Sequence, residues 1–231
     1  MPGSFFDYER LATFGFVPKT GFNKRTGRRI RKVSLLMAKA RLSQLKLALR
    51  AKRFVRFSQR FEAFPIRGYV LDVGPRFFLM ALVSDLIWFD GFECFRLGDV
   101  SAVMADPYTH FAESALRKRR ERMPKKPRVS VASIEELLLT AGRAFPLVTI
   151  QREQVDPSAC WIGRILGVER RCVSLLEINP DASWDDKPTT YRLSEISRVN
   201  FGGDYENALH LVAGDPGRRL TRSVERTAAA R

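Results

Sequence analysis

Histidine is nearly missing from this chain. His110 and His210 are the only two in 231 residues, and no HxxxH or HExxH spacing is present to support a metal site. Cysteine is also scarce. Cys94, Cys160 and Cys172 form an odd set without a CxxC pair, so they read as reduced core thiols, not as a disulfide frame or a zinc ligand set. The P-loop, GxGxxG and GxSxG patterns do not occur. FGGDYE (201–206) has two glycines but neither the lysine nor the spacing of a phosphate loop, and it reads instead as a strand end with Asp204 as helix N-cap. No apolar run approaches the length of a membrane helix, and MPGSFFDYERLATFGF lacks the basic-then-apolar order of a secretory signal. Together these absences lead us to expect no metal, no cofactor, no enzymatic activity and a cytoplasmic location.

What is abundant is apolar mass and positive charge. A hydrophobic fraction of 45%, with 17 phenylalanines, is enough for a packed core. The formal net charge is +15, and it is segregated. Residues 1–60 carry sixteen Lys/Arg against Asp7 and Glu9, and the run 117–128, RKRRERMPKKPR, carries eight cations and one acid. Residues 61–116 and 129–214 are both net acidic, whereas the tail 215–231 is basic again. Charge concentrated in the connecting segments is an electrostatic footprint in a way that an evenly basic surface is not.

The chain also repeats itself. RLGDVSAV (96–103) returns as RLSEISRV (192–199), GYVLDV (68–73) matches GRILGV (163–168), and FFLMAL (77–82) matches CVSLLE (172–177). ESAL (113–116) then matches ENAL (206–209), so order and spacing are kept together, as in an internal duplication. Each copy begins with an apolar helical stretch, 34–54 and 134–145, the second with Ser133 as N-cap and Glu136 at capping-box distance. Extended segments follow, FVRF (54–57) and PLVTIQ (146–151), and Asp90-Gly91 signals a tight hairpin in the first copy. The matching connection in the second copy, NPDASWDDKP (179–188), is longer and more polar. Its Asp181, Asp185 and Asp186 suit either a cation or, more simply, a solvated loop. Leu97, Val100 and Val103, like Leu193, Ile196 and Val199, mark a strand–turn–strand corner, with Asp99 and Glu195 placed to bond backbone N–H groups in the turn.

Four or five short strands per copy imply a strongly bent sheet, because rolling up covers edges. The leading helix, the glycine in the first long strand, the hairpin and the hydrophobic-Asp-Val close resemble the small Sm-like/SH3-like barrels, over roughly 34–116 and 134–212. That resemblance implies a mainly β, α+β fold of two tandem duplicated small β-barrels, each preceded by a helix. The Asp-x-x-hydrophobic-Asn and Arg-Gly patterns of Sm-like base pockets have no counterpart in VGPRFFL, VERRCVS, FRLGD or YRLSE, so no binding residue is carried over. The expected organisation is a flexible basic arm (1–33), a first module (34–116), a basic linker (117–132), a second module (133–214) and a disordered basic tail (215–231).

The candidate binding residues therefore come from charge. Lys19, Lys24, Arg25, Arg28, Arg29, Arg31 and Lys32 lie in KTGFNKRTGRRIRK, which has no apolar period and no acid. In the helix that follows, Leu35, Leu42 and Leu49 repeat every seven residues, with Ala38 and Leu45 between them, and suit a core-facing stripe. Lys32, Lys39, Lys46 and Arg53 keep the same repeat and Arg50 joins them, giving a row of cations about 10.5 Å apart. Arg117, Lys118, Arg119 and Arg120 continue the theme until Pro124 breaks the second basic helix, and Lys125 and Lys126 follow that break. The ladder suits a nucleic-acid backbone, RNA ahead of DNA, and it also suits an anionic membrane surface. Barrels offering an edge or groove to a protein partner remain the alternative. Phe22, Phe54 and Phe57 sit among these cations as core residues first and as base-stacking residues second.

Overall fold

The computed structural model describes residues 24–217. Contacts divide the chain into two units, Met1–Leu36 and Met37–Arg231. The described part of the first unit is the opening of helix α1 (Lys24–Ala51). Every strand and the remaining helices belong to the second.

The second unit is mainly β, in an α+β arrangement. Strands β1 (Phe54–Gln59), β2 (Ile66–Val73), β3 (Phe77–Val83), β4 (Phe89–Arg96) and β5 (Val100–Ala105) lead to helix α2 (Thr109–Lys118). Helix α3 (Ile134–Ala144) opens the second series: β6 (Val148–Gln151), β7 (Cys160–Glu169), β8 (Cys172–Glu177), β9 (Thr189–Arg192), β10 (Arg198–Phe201) and helix α4 (Asp204–Ala213). All ten strands form one antiparallel sheet in the order β5-β1-β2-β3-β4-β10-β6-β7-β8-β9. Each half thus has the same internal order: fifth, first, second, third, fourth.

Detail in the sheet carries the duplication further than the sequence match. Register breaks fall between Val70 and Asp72 in β2 and between Ile165 and Gly167 in β7, at matching positions. A Cβ on Gly68 would stand 2.1 Å from the Ala81 carbonyl oxygen, and one on Gly163 would stand 2.1 Å from that of Leu176. Both halves therefore need glycine at this point, because the next strand passes too close for a side chain. A short 3-10 turn, Leu97–Asp99 or Leu193–Glu195, separates the fourth and fifth strands in each half. The repeated octet is that corner.

The ten strands form one sheet that is not closed, so the mainly β, α+β expectation is met while two tandem closed barrels are not confirmed. No pairing among the described residues joins β5 to β4 or β10 to β9; instead β4 pairs with β10. The cores explain why the halves stay together. β3 is apolar on both faces: Phe78 and Met80 pack with Leu45 and Ala48 of α1, while Phe77 and Leu79 join a larger core with α3 and strands of the second half. Val129 and Val131 are buried in that shared core, so the end of the expected linker is structural. Each such side chain contributes on the order of 1.5–3 kcal/mol by leaving water.

Several local expectations need correcting. The hairpin turn lies at Ser84–Trp88, where Ser84 N donates to Trp88 O at 3.0 Å, and Asp90-Gly91 sits inside β4. Asp204 is the first residue of α4 and not its N-cap; the cap position is Gly203, and Asp90 Oδ1 accepts from Asp204 N at 2.8 Å. Asp99 and Glu195 do not cap their turns and meet Arg96 (3.9 Å) and Arg152 (2.6 Å) instead. Cys94 is a core thiol, whereas Cys160 is exposed and Cys172 half-buried. Ser133 does cap α3, accepting from Glu136 N at 3.1 Å.

Candidate nucleic-acid interface

Helix α1 begins at Lys24, ahead of the apolar stretch, so Lys24, Arg25, Arg28, Arg29, Arg31 and Lys32 are helical positions. Lys19 and Phe22 lie outside the described residues. Among the described side chains of the apolar stripe, Leu45 and Ala48 are buried with Leu49 packed beside them, Leu42 is half-buried and Ala38 is exposed. Lys39, Lys46, Arg50 and Arg53 are all exposed. Phe54 and Phe57 are buried, which removes them as base-stacking platforms.

Helix α2 packs on β1, where Ala112 and Leu116 share an apolar cluster with Phe54, Tyr69 and Val83. Arg53 precedes Phe54 and Arg117 follows Leu116, so one small core anchors the ends of both basic segments. The two helices also stop alike. Lys52 N donates to Leu49 O and Arg53 N to Ala48 O; Arg120 N donates to Arg117 O and Glu121 N to Leu116 O. These are paired terminal bonds of the Schellman type, and the left-handed position in each is basic, Lys52 (φ 47°) and Arg120 (φ 60°). Glycine is the ordinary choice there, so each costs about 1 kcal/mol of backbone strain. Cations next to carbonyl-rich helix ends recover part of that electrostatically.

Two of the expected residues hold the fold together. Arg119 donates to the carbonyls of Leu86 and Ile87 and lies 5.9 Å from the Trp88 ring centre, pinning the β3–β4 turn. Lys126 pairs with Asp72. Lys39, Lys46, Arg50, Arg53, Arg117, Lys118, Arg120 and Lys125 have no carboxylate partner among the described residues, and all are exposed. The ion pairs of the folded body use Arg67, Arg96, Arg152, Arg164 and Arg198. Among the helix and linker candidates only Lys126 balances one of the protein's own acids, and Arg60, Arg76, Arg143, Arg170, Arg171, Lys187 and Arg192 of the body are likewise exposed without a carboxylate partner among the described residues.

A contrasting acidic site lies at the β4–β10 seam. Arg198 donates to both carboxylate oxygens of Glu93 (2.7–3.0 Å) and to Glu62 at 2.5 Å, and Glu153 stands 3.9 Å away. Asn200 Nδ2 donates to Glu93 at 2.6 Å, and Gln59 Nε2 donates to Glu153 at 2.8 Å. The first octet reaches the second here, since Arg96 donates to the carbonyls of Ser194 and Ile196. Sequence reading missed this network. Its one signal was the least conservative of the four differences between the octets, Ala102 against Arg198.

Burial pushes the Glu93 carboxyl up to about 7 despite the pull of Arg198, with Glu206 and Glu62 adding to the rise. The folded chain therefore holds this proton more tightly than the unfolded chain, whose glutamates titrate near ~4.3. The unfolded state binds fewer protons in that window, so this group's contribution to stability falls as pH rises from about 4.5 to about 7. Urea midpoints measured across the window should decline, and Glu93→Gln should flatten the decline; an unchanged slope in the variant would assign it elsewhere.

Among the described residues no helix is long and apolar enough to cross a membrane, and no group of His, Cys, Asp and Glu is arranged to hold a metal ion. No family model, no curated protein and no solved structure matches the chain.

Proposed function

We propose that the chain is a non-enzymatic nucleic-acid-binding adaptor, RNA ahead of DNA. Its two halves are read as tandem Sm-like/SH3-like modules opened and fused edge to edge, and the repeated strand order supports that reading. Contact runs through phosphates, with weak sequence preference, from the α1 ladder, the end of α2 and the linker. The observation that carries the proposal is the clustering of cations: Lys39, Lys46, Arg50 and Arg53 on and just after α1, and Arg117, Lys118, Arg120 and Lys125 at the end of α2 and in the linker, are all exposed and have no carboxylate partner among the described residues.

Binding of the intact chain to single- and double-stranded RNA and DNA over a salt series tests this. With about six phosphate contacts, affinity should fall roughly a thousandfold between about 50 and 200 mM salt. Affinity that ignores salt would remove the proposal. The outer edges of β5 and β9, which have no strand partner among the described residues, favour the second reading, a protein partner added as an extra strand. A stoichiometric protein bound at those edges, with no salt-sensitive nucleic-acid binding, would put it first.

A further inference from the structure

We propose that the seam holds a second, independent site, a cavity that takes a guanidinium group. The cavity has a volume of about 240 Å³, below the usual range for drug-sized ligands and suited to a small head group. Asp90, Glu93 and Glu206 line it, and no Lys, Arg or His does. In a chain of net charge +15 this is a local inversion of sign. Glu93 and Glu206 are only 5% and 9% exposed, so water does little to relieve their charge.

The acceptors converge and are not all used. Glu206 Oε1 accepts from Thr149 Oγ1 at 2.5 Å, while Oε2 has no donor among the described residues. A Cβ on Gly203 would lie 2.7 Å from Glu206 Oε2 and 3.1 Å from Asp90 Oδ1, so carboxylates from the two halves approach one point beside this glycine. Gly203 has φ −77°, which any residue can adopt, so the backbone gives no reason for glycine there. Asn200 Oδ1 is buried without a partner, and its Nδ2 is committed to Glu93. Arg198, which bonds the lining residue Glu93, is held by Glu93 and Glu62. Tyr205, 55% exposed, offers a ring at the rim. Unsatisfied acceptors in a cavity without cations call for a ligand with several N–H donors and a positive charge, and the planar guanidinium has five such donors. A phosphate would be repelled, so this site is distinct from the nucleic-acid surface and stands or falls apart from it.

The test uses the 15N-labelled full chain, titrated with agmatine, with N-acetylarginine amide, and with the uncharged isostere N-acetylcitrulline amide. Both guanidinium compounds should give saturable shifts centred on Thr149, Asn200, Gly203 and Glu206, and the citrulline compound should give none. Tighter agmatine binding would point to a free metabolite, and tighter arginine-amide binding to the side chain of a partner. Affinity should be lower at pH about 6 than at about 8, because Glu93, facing Arg198, Asn200, Glu62 and Glu206, gains its proton near 7. Glu206→Gln should weaken binding about tenfold or more, as loss of a charged hydrogen bond does. Gly203→Ala should push the Glu206 and Asp90 carboxylates away from their point of convergence and weaken binding with the charges intact. Wild-type chain that shows no shift at millimolar guanidinium, or equal shifts with the citrulline compound, would overturn the assignment without reference to any variant.

Discussion

Replacing Arg198 by alanine should cost this fold about 3–5 kcal/mol at neutral pH, the penalty for leaving buried carboxylates without their counter-ion. Arg198 is itself 9% exposed, it grips Glu93 through both oxygens, and it serves Glu62 and Glu153 as well. Its guanidinium also lies 5.0 Å from the Phe95 ring centre, so alanine removes packing along with charge. For a body of this size the loss corresponds to a fall in Tm of roughly 10 °C. It should appear in one transition, because Phe77, Leu79 and Cys94 of the first half share a core with the second. Denaturation followed by circular dichroism and by tryptophan fluorescence checks both points. A loss under about 1 kcal/mol would mean that the seam is held by its backbone ladder and apolar core alone.

The paired change Arg198→Met with Glu93→Leu separates charge from shape. Removing both partners of a buried pair often restores stability that removal of one destroys. The double variant should therefore be clearly more stable than Arg198→Ala. Glu62 at the rim can rehydrate, leaving Glu153 as the remaining buried acid. If the double variant is no better than the single one, packing and not charge sets the cost.

This seam also shows where sequence reading stops. Duplication, strand content, the Ser133 cap and the octet corner were legible because each rests on local pattern: spacing, alternation, a side chain bonding three residues on. The joint between the halves was not, because it depends on which edge strand meets which. Asp90-Gly91 illustrates the difference. The dipeptide has turn chemistry, yet Gly91 (φ 69°) is there because a Cβ would strike Gly203 N at 2.4 Å, and Asp90 is there to bond the start of α4. A long-range approach used the same residues as a hairpin. Helix ends were hidden for a related reason, since Lys52 and Arg120 occupy left-handed positions where glycine would have announced the stop. Of the candidate cations, the pattern identified the exposed row on α1 but could not separate Arg119 and Lys126, which have structural partners, from their neighbours.

Changing Lys39, Lys46, Arg50 and Arg53 together to glutamine should reduce nucleic-acid affinity by three orders of magnitude or so while leaving the fold intact. Each phosphate contact adds about 0.9 to the salt exponent, which at about 0.1 M salt is a factor of roughly eight in affinity; four contacts multiply to a few thousand. All four side chains are exposed and lack carboxylate partners among the described residues, so removing their charge breaks no ion pair seen there. The salt slope must shrink by about 3.6 alongside the loss of affinity. That second readout distinguishes lost phosphate contacts from a damaged helix, which would lower affinity and Tm together. Glutamine keeps helix propensity close to that of lysine and arginine, so α1 should retain its circular dichroism signal. If affinity and slope both survive, the polyanion is met elsewhere, and Arg117, Lys118, Arg120 and Lys125 become the residues to change next.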